Sequence, residues 1–79
     1  MRVAITGATG FIGRRIASLL ESPQYLVRAL ARDAASARHL LAPGVEIVPG
    51  DLATPQALRA LVRDADAVLH LAGPGLGDR

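Results

Sequence analysis

A three-layer α/β fold is the class this sequence predicts: a parallel sheet of about four strands in the order 3-2-1-4, with helices on both faces. Three observations carry that expectation. Short apolar runs alternate with helix-like segments as β-α-β-α-β-α-β. The connections have the length that right-handed crossovers between parallel strands need. Glycines recur at positions 7, 10 and 13, where the first strand should turn into the first helix.

Each element follows from its residues. Arg2–Thr6, RVAIT, is a short apolar run stopped by Gly7, which predicts a strand. Phe11–Glu21 carries Ile12, Ile16, Leu19 and Leu20 at i, i+4, i+7 and i+8, one apolar face of a helix that Pro23 punctuates. Tyr25–Ala31, YLVRALA, is the second strand. Asp33 is placed to cap a short alanine-rich helix over Ala34–Leu41, closed by Pro43 and Gly44. Val45–Val48 alternates apolar and polar and is the third strand. Thr54 then Pro55 marks a helix start, with threonine at the N-cap and proline at the first helical position. Leu58, Leu61 and Val62 give that helix its buried face. Ala67–Ala72, AVLHLA, is a near-continuous apolar run suited to a parallel strand covered on both faces. The closing GPGLGDR reads as a loop, and no internal repeat or low-complexity segment is present.

Composition bounds what such a chain does. Its 79 residues hold one small domain at most, and a domain this short buries only roughly 60% of its unfolded surface. Apolar residues make up 51% and charged residues 20%, a globular balance. Phe11 and Tyr25 are the only aromatic residues, so the core is aliphatic. All the basic side chains are arginine, scattered from Arg2 to Arg79 with a net charge of only +2. They neither cluster nor interleave with aromatics, which argues against a nucleic-acid surface. The absence of cysteine excludes disulfides, thiolate zinc sites and a cysteine nucleophile. No signal-peptide pattern opens the chain and no apolar run approaches a membrane span. The expected address is the cytosol, with no membrane partner.

GATGFIG fits G-x-x-G-x-x-G at a strand-to-helix turn, and each glycine has a physical task. Gly7 lets the chain leave the strand in a tight turn. Gly10 lets the backbone approach a pyrophosphate, and Gly13 lets the helix pack closely on the strand. The backbone N–H groups near Phe11 and Ile12 then point outward from a helix N-terminus, whose partial positive charge suits an anion. A bare glycine triplet is also compatible with a plain tight turn, but here the strand before, the helix after and the surrounding β-α-β unit meet the context of a dinucleotide fingerprint. The lysine of a P-loop is missing.

TGATGFIG, then RALAR about twenty residues on, then GDL and HLAG, resemble the extended or atypical short-chain dehydrogenase/reductase superfamily, which includes the NAD-dependent epimerase/dehydratases and the NmrA-like proteins. The resemblance spans nearly the whole chain in the right order. It implies a Rossmann-type fold that binds NADP or NAD, with Gly7, Thr9, Gly10, Phe11, Ile12 and Gly13 at the pyrophosphate turn. An acidic residue after the second strand would bind the ribose hydroxyls of NAD, whereas an arginine accommodates the 2′-phosphate of NADP. Arg32 and Asp33 stand there side by side. In similar proteins an arginine at the Arg32 position favours NADP, and a guanidinium fork suits a phosphate. Asp33 is better placed as a helix cap. NADP is therefore the preferred cofactor, with Arg14 as a candidate second positive charge and a solvated loop as the plain alternative for Arg32. Arg28, within the strand, is equally a solvent-facing stem.

The resemblance further implies that Asp51 accepts from the adenine amino group and Leu52 lines the adenine pocket; the alternative for Asp51 is a turn or cap. Ala72 and Gly73 would let the backbone pass close to the cofactor riboses, or simply pack. His70, in an apolar strand, is expected to be structural.

Members of this superfamily usually catalyse through a tyrosine and a lysine four positions later, the lysine lowering the tyrosine pKa. This chain has no lysine, and its one tyrosine, Tyr25, begins the second strand, on the wrong side for that role. His39 and His70 lie on different elements without an evident metal partner. The expectation is an N-terminal portion of a longer protein: residues 1–73 form part of an NAD(P)-binding domain, and 74–79 lead to a C-terminal region that meets a small-molecule substrate. Three functions fit: an oxidoreductase or epimerase/dehydratase, a non-catalytic NADP-sensing module of the NmrA-like kind, or a free-standing protein that dimerises through its fourth strand.

Overall fold

Along the chain the order is β1 (Arg2–Thr6), α1 (Phe11–Leu19), β2 (Leu26–Ala31), α2 (Ala34–Leu40), β3 (Glu46–Pro49), α3 (Pro55–Val62) and β4 (Ala67–His70). The computed structural model describes residues 1–71. Its four strands form one parallel sheet in the order β3-β2-β1-β4, as the alternation predicts. Ile5 pairs with Ala29 on one side and Leu69 on the other, and Ala29 pairs with Ile47. β1 is thus central, and every residue from Val3 to Thr6 is buried.

The strand faces sort into two cores. Val3, Ile5, Val27, Ala29 and Ala31 pack with Ala17 of α1 and Ala37 of α2. Ala4, Leu30 and Val48 pack with Ala57 and Leu61 of α3 on the opposite face. The first two crossovers travel outward from β1 and the third returns past it to β4. A right-handed connection that reverses its direction of travel must change faces.

α1 buries different residues from the face that its apolar spacing predicts. Gly13 and Ala17 are buried, Ile16 and Leu20 are partly so, and Ile12 and Leu19 are 50% and 74% exposed. The cause is distance. A Cβ on Gly13 would lie 1.9 Å from the Gly7 carbonyl oxygen, so the helix sits too close for branched side chains along that line. α3 follows its predicted face more closely: Leu61 is buried as expected and Leu58 half-buried, while Val62 is exposed and Ala57 is buried in its stead.

The caps also differ from one another. Asp33 caps α2 as predicted, accepting from the Ser36 N–H at 3.1 Å and the Ser36 hydroxyl at 3.0 Å. Thr54 does occupy the N-cap of α3, with Pro55 inside it, but its side chain makes no cap bond. Its hydroxyl instead donates to Asp51 Oδ1 at 2.9 Å. Arg28 is not a free stem. Its Nη1 donates to the carbonyls of Ala60, Leu61 and Arg63 at 2.8, 3.1 and 2.8 Å, which closes the C-terminus of α3. Its Nε pairs with Glu46 on β3 at 3.2 Å.

Among the described residues β4 pairs with β1 alone, as an edge. Ala67 and Leu69 are half-buried while Val68 and His70 are exposed, so the strand is not covered on both faces as its apolar run predicts. His70 nevertheless makes a long-range tie: its Nδ1 lies 2.6 Å from Thr6 Oγ1 at the end of β1.

Candidate functional site

All four strands are parallel, so their C-terminal ends share one edge of the sheet, and three connecting loops rise from it. In the first, Gly7 takes φ = +77°, a left-handed conformation that glycine adopts without steric penalty. The Gly10 N–H then returns to the Gly7 carbonyl at 3.2 Å and closes the turn. Gly10 is the N-cap of α1; it has no side chain to cap with, and the first turn of α1 holds no acidic residue. The N–H groups that any helix leaves unpaired in its first turn are here met by no side-chain cap. Gly10, Phe11 and Ile12 are all exposed.

The third loop is built with equal economy. Gly50, at φ = +142°, donates its N–H to the Ala31 carbonyl at 2.9 Å, which fastens the end of β3 to the end of β2. A Cβ there would lie 2.4 Å from the Ala57 side chain. Asp51 folds its carboxylate back into the loop: Oδ1 accepts from the Ala53 N–H and the Thr54 hydroxyl, both at 2.9 Å.

Between these loops lies an open cleft of about 350 Å³, within the range of small-ligand sites. Of the residues that the sequence singles out, Gly7, Thr9, Arg32, Asp51 and Leu52 line it. Thr6, Leu30, Ala31 and Gly50 line it too, and sequence reasoning missed them. Their signal was present: Thr6 and Ala31 end the first two strands, and Gly50 opens the GDL motif. Gly10, Phe11 and Ile12 stand at the exposed start of α1, next to the turn. Gly13 is buried beneath Gly7 and Ala8, where it sets helix spacing and forms no wall. Ala72 and Gly73 lie outside the described residues.

The charges around the cleft are few. Arg32 is exposed on its wall. Asp33, the next residue and the N-cap of α2, is held below the usual carboxylate range by the Ser36 N–H and then by the Ser36 hydroxyl, so it stays ionised there. Arg14 is not on the wall; it lines a groove between α1 and α2 with Ser18 and Leu40. Tyr25 sits before β2, at the opposite end of the sheet, beside a cavity of about 190 Å³. Among the described residues no three His, Asp or Glu side chains gather where a metal ion could sit, and no helix is long and apolar enough to cross a membrane.

The sequence matches the NAD(P)H-binding family model over residues 7–79. It is 43% identical over 56 residues to the NAD(P)H azoreductase of Xenophilus azovorans, covering 71% of this chain and 20% of that protein. The fold is similar to that of yeast methylglyoxal/isovaleraldehyde reductase complexed with NADPH, with a TM-score of 0.74, 31% identity, and coverage of 100% of this chain and 26% of that one. It is also similar to UDP-glucuronic acid 4-epimerase from Bacillus cereus in complex with NAD, with a TM-score of 0.72, 28% identity, and coverage of 92% and 26%. The chain spans 20% and 18% of the length of the curated relatives it matches.

Proposed function

The chain belongs to the NAD(P)H-binding family, within the extended short-chain dehydrogenase/reductase superfamily, and from that premise we propose that its cleft seats the adenosine half of NADP for an oxidoreductase, with the pyrophosphate on the N-terminus of α1. One observation carries the reading. Gly10 is not required by the fold: a Cβ there would meet only the Gly7 carbonyl oxygen, at an ordinary 3.4 Å. An exposed glycine that the protein does not need for itself, at the mouth of an uncapped helix, is what a close-lying pyrophosphate would require.

The remaining roles follow from chemistry and place. Arg32 offers a planar fork of donors and a permanent charge to the 2′-phosphate. Thr9 adds a hydroxyl donor on the same side as the glycine turn. Asp51 has Oδ1 engaged within its loop, which leaves Oδ2 to accept from the adenine amino group, and Leu52 lies half-exposed against the ring. Ala72 and Gly73 keep the proposed role of small residues beside the riboses. Residues 1–73 would then form the cofactor-binding portion and 74–79 lead onward. NADP, once bound, supplies the hydride-carrying nicotinamide. Proton transfer to a substrate falls to groups other than these, because the chain has no lysine to support a tyrosine. The same cleft would serve an NmrA-like sensor of the NADP pool; consumption of NADPH by a substrate distinguishes the enzyme from the sensor.

Gly10→Val tests the central claim. The variant should keep its circular dichroism spectrum and lose NADPH binding by about two orders of magnitude in calorimetric titration, since a branched side chain fills the phosphate approach. Unchanged affinity would remove the pyrophosphate from this turn.

A further inference from the structure

Arg32 and Asp33 present a conflict that the cleft has to resolve. They are adjacent at the end of β2, the position that reads the adenine ribose. A free carboxylate there would accept from a ribose diol and repel a phosphate; a free guanidinium would do the reverse. A ribose that carries a 2′-phosphate has no diol for the carboxylate to bridge, and a carboxylate aimed at that phosphate would repel it.

The structure resolves the conflict through a third residue. Both Asp33 oxygens are turned onto Ser36: Oδ1 accepts from its N–H at 3.1 Å, and Oδ2 accepts from its hydroxyl at 3.0 Å. Arg32, by contrast, stands exposed on the cleft wall, and Asp33 is not among the residues that line the cleft. We propose that Ser36 is a specificity-determining residue: by holding the Asp33 carboxylate on α2, it withholds the diol acceptor from the cleft and leaves Arg32 alone to address a 2′-phosphate. Ser36 touches no cofactor in this scheme and acts through Asp33. The inference rests on the reading of the cleft as an NADP site with Arg32 at the phosphate.

The backbone N–H of residue 36 survives any side-chain change, so half of the lock can be removed without uncapping the helix. In Ser36→Ala, Oδ2 loses its partner and the carboxylate regains freedom to swing toward the ribose. NADH should then bind more tightly and NADPH more weakly, which lowers the NADPH-to-NADH preference by about tenfold, the size of one hydrogen bond to a charged group. Ser36→Thr keeps the hydroxyl and should restore the wild-type preference. A merely structural role for Ser36 would weaken both cofactors together.

The experiment is a calorimetric titration of the full chain with NADPH and with NADH, for wild type, Ser36→Ala, Ser36→Thr and Arg32→Ala, with thermal unfolding to confirm that each is folded. The inference is supported if Arg32→Ala weakens NADPH far more than NADH, Ser36→Ala shifts the preference in the same direction, and Ser36→Thr restores it. If Arg32→Ala acts as expected while Ser36→Ala leaves the preference unchanged, the lock is wrong and the cofactor reading stands. If Arg32→Ala changes neither cofactor, or both equally, the phosphate role of Arg32 falls and the lock falls with it. If the wild type binds neither, the cleft itself has been misread.

Discussion

Three glycines of one motif do three unlike things, and only their surroundings tell them apart. Gly7 is required by its backbone angle, Gly13 by its neighbours, and Gly10 by neither. Gly13→Ala should therefore damage the fold. Its new methyl would overlap backbone at Gly7 and Ala8, which no rotamer change relieves, so the expected loss in urea unfolding is at least about 3 kcal/mol. Gly10→Ala should lose about 1 kcal/mol or less, the difference between a glycine and an alanine N-cap. Equal losses at the two positions would mean that α1 adjusts its distance from the turn. The spacing of the motif was legible in the sequence; this division of labour was not, because it depends on which atom faces each missing Cβ.

The order of strands and helices was also legible, since hydrophobic periodicity and turn residues are local signals. The inward face of α1 was not. Periodicity ranks residues by hydrophobicity, whereas a helix held against a turn by Gly13 selects for size, so Ala17 goes inward and Leu19 outward. Arg28 escaped for a different reason: the carbonyls it serves lie more than thirty positions away, on α3. Nothing near it in the chain announces them. Arg28→Met keeps an apolar stem but removes the donors and the charge from the helix terminus. We expect a loss of about 1–2 kcal/mol and faster amide exchange in α3, with a smaller loss for Arg28→Lys. Unaltered exchange in α3 would reduce Arg28 to its ion pair with Glu46.

At the scale of the whole molecule, the first and last strands are tied by one side-chain bond. Thr6 is only 4% exposed, the one buried polar residue among those described, and its partner His70 stands 64 positions along the chain. This asymmetry of burial predicts an asymmetry of effect. His70→Leu would strand a buried hydroxyl and cost about 1–3 kcal/mol, whereas Thr6→Val would leave an exposed imidazole to water and cost less. The double variant should recover part of the His70→Leu loss, and a double-mutant cycle that shows pure additivity would deny the bond any energetic weight. The apolar strand around His70 predicts a structural role, but a partner 64 positions away lies beyond the reach of any local pattern.

The Gly50-to-Ala31 bond has a consequence of another kind. Arg32 is the next residue after Ala31 and Asp51 the next after Gly50, so the β2–β3 register that this bond extends sets the two lips of the cleft opposite each other. Sliding β3 by one residue would carry Asp51 about 3.3 Å along the strand and invert the faces of β3. The bulk of the sheet tolerates small errors; the gap between its lips does not. Cofactor affinity thus works as a gauge of alignment, and it would register a slipped strand well before the shape of the molecule did.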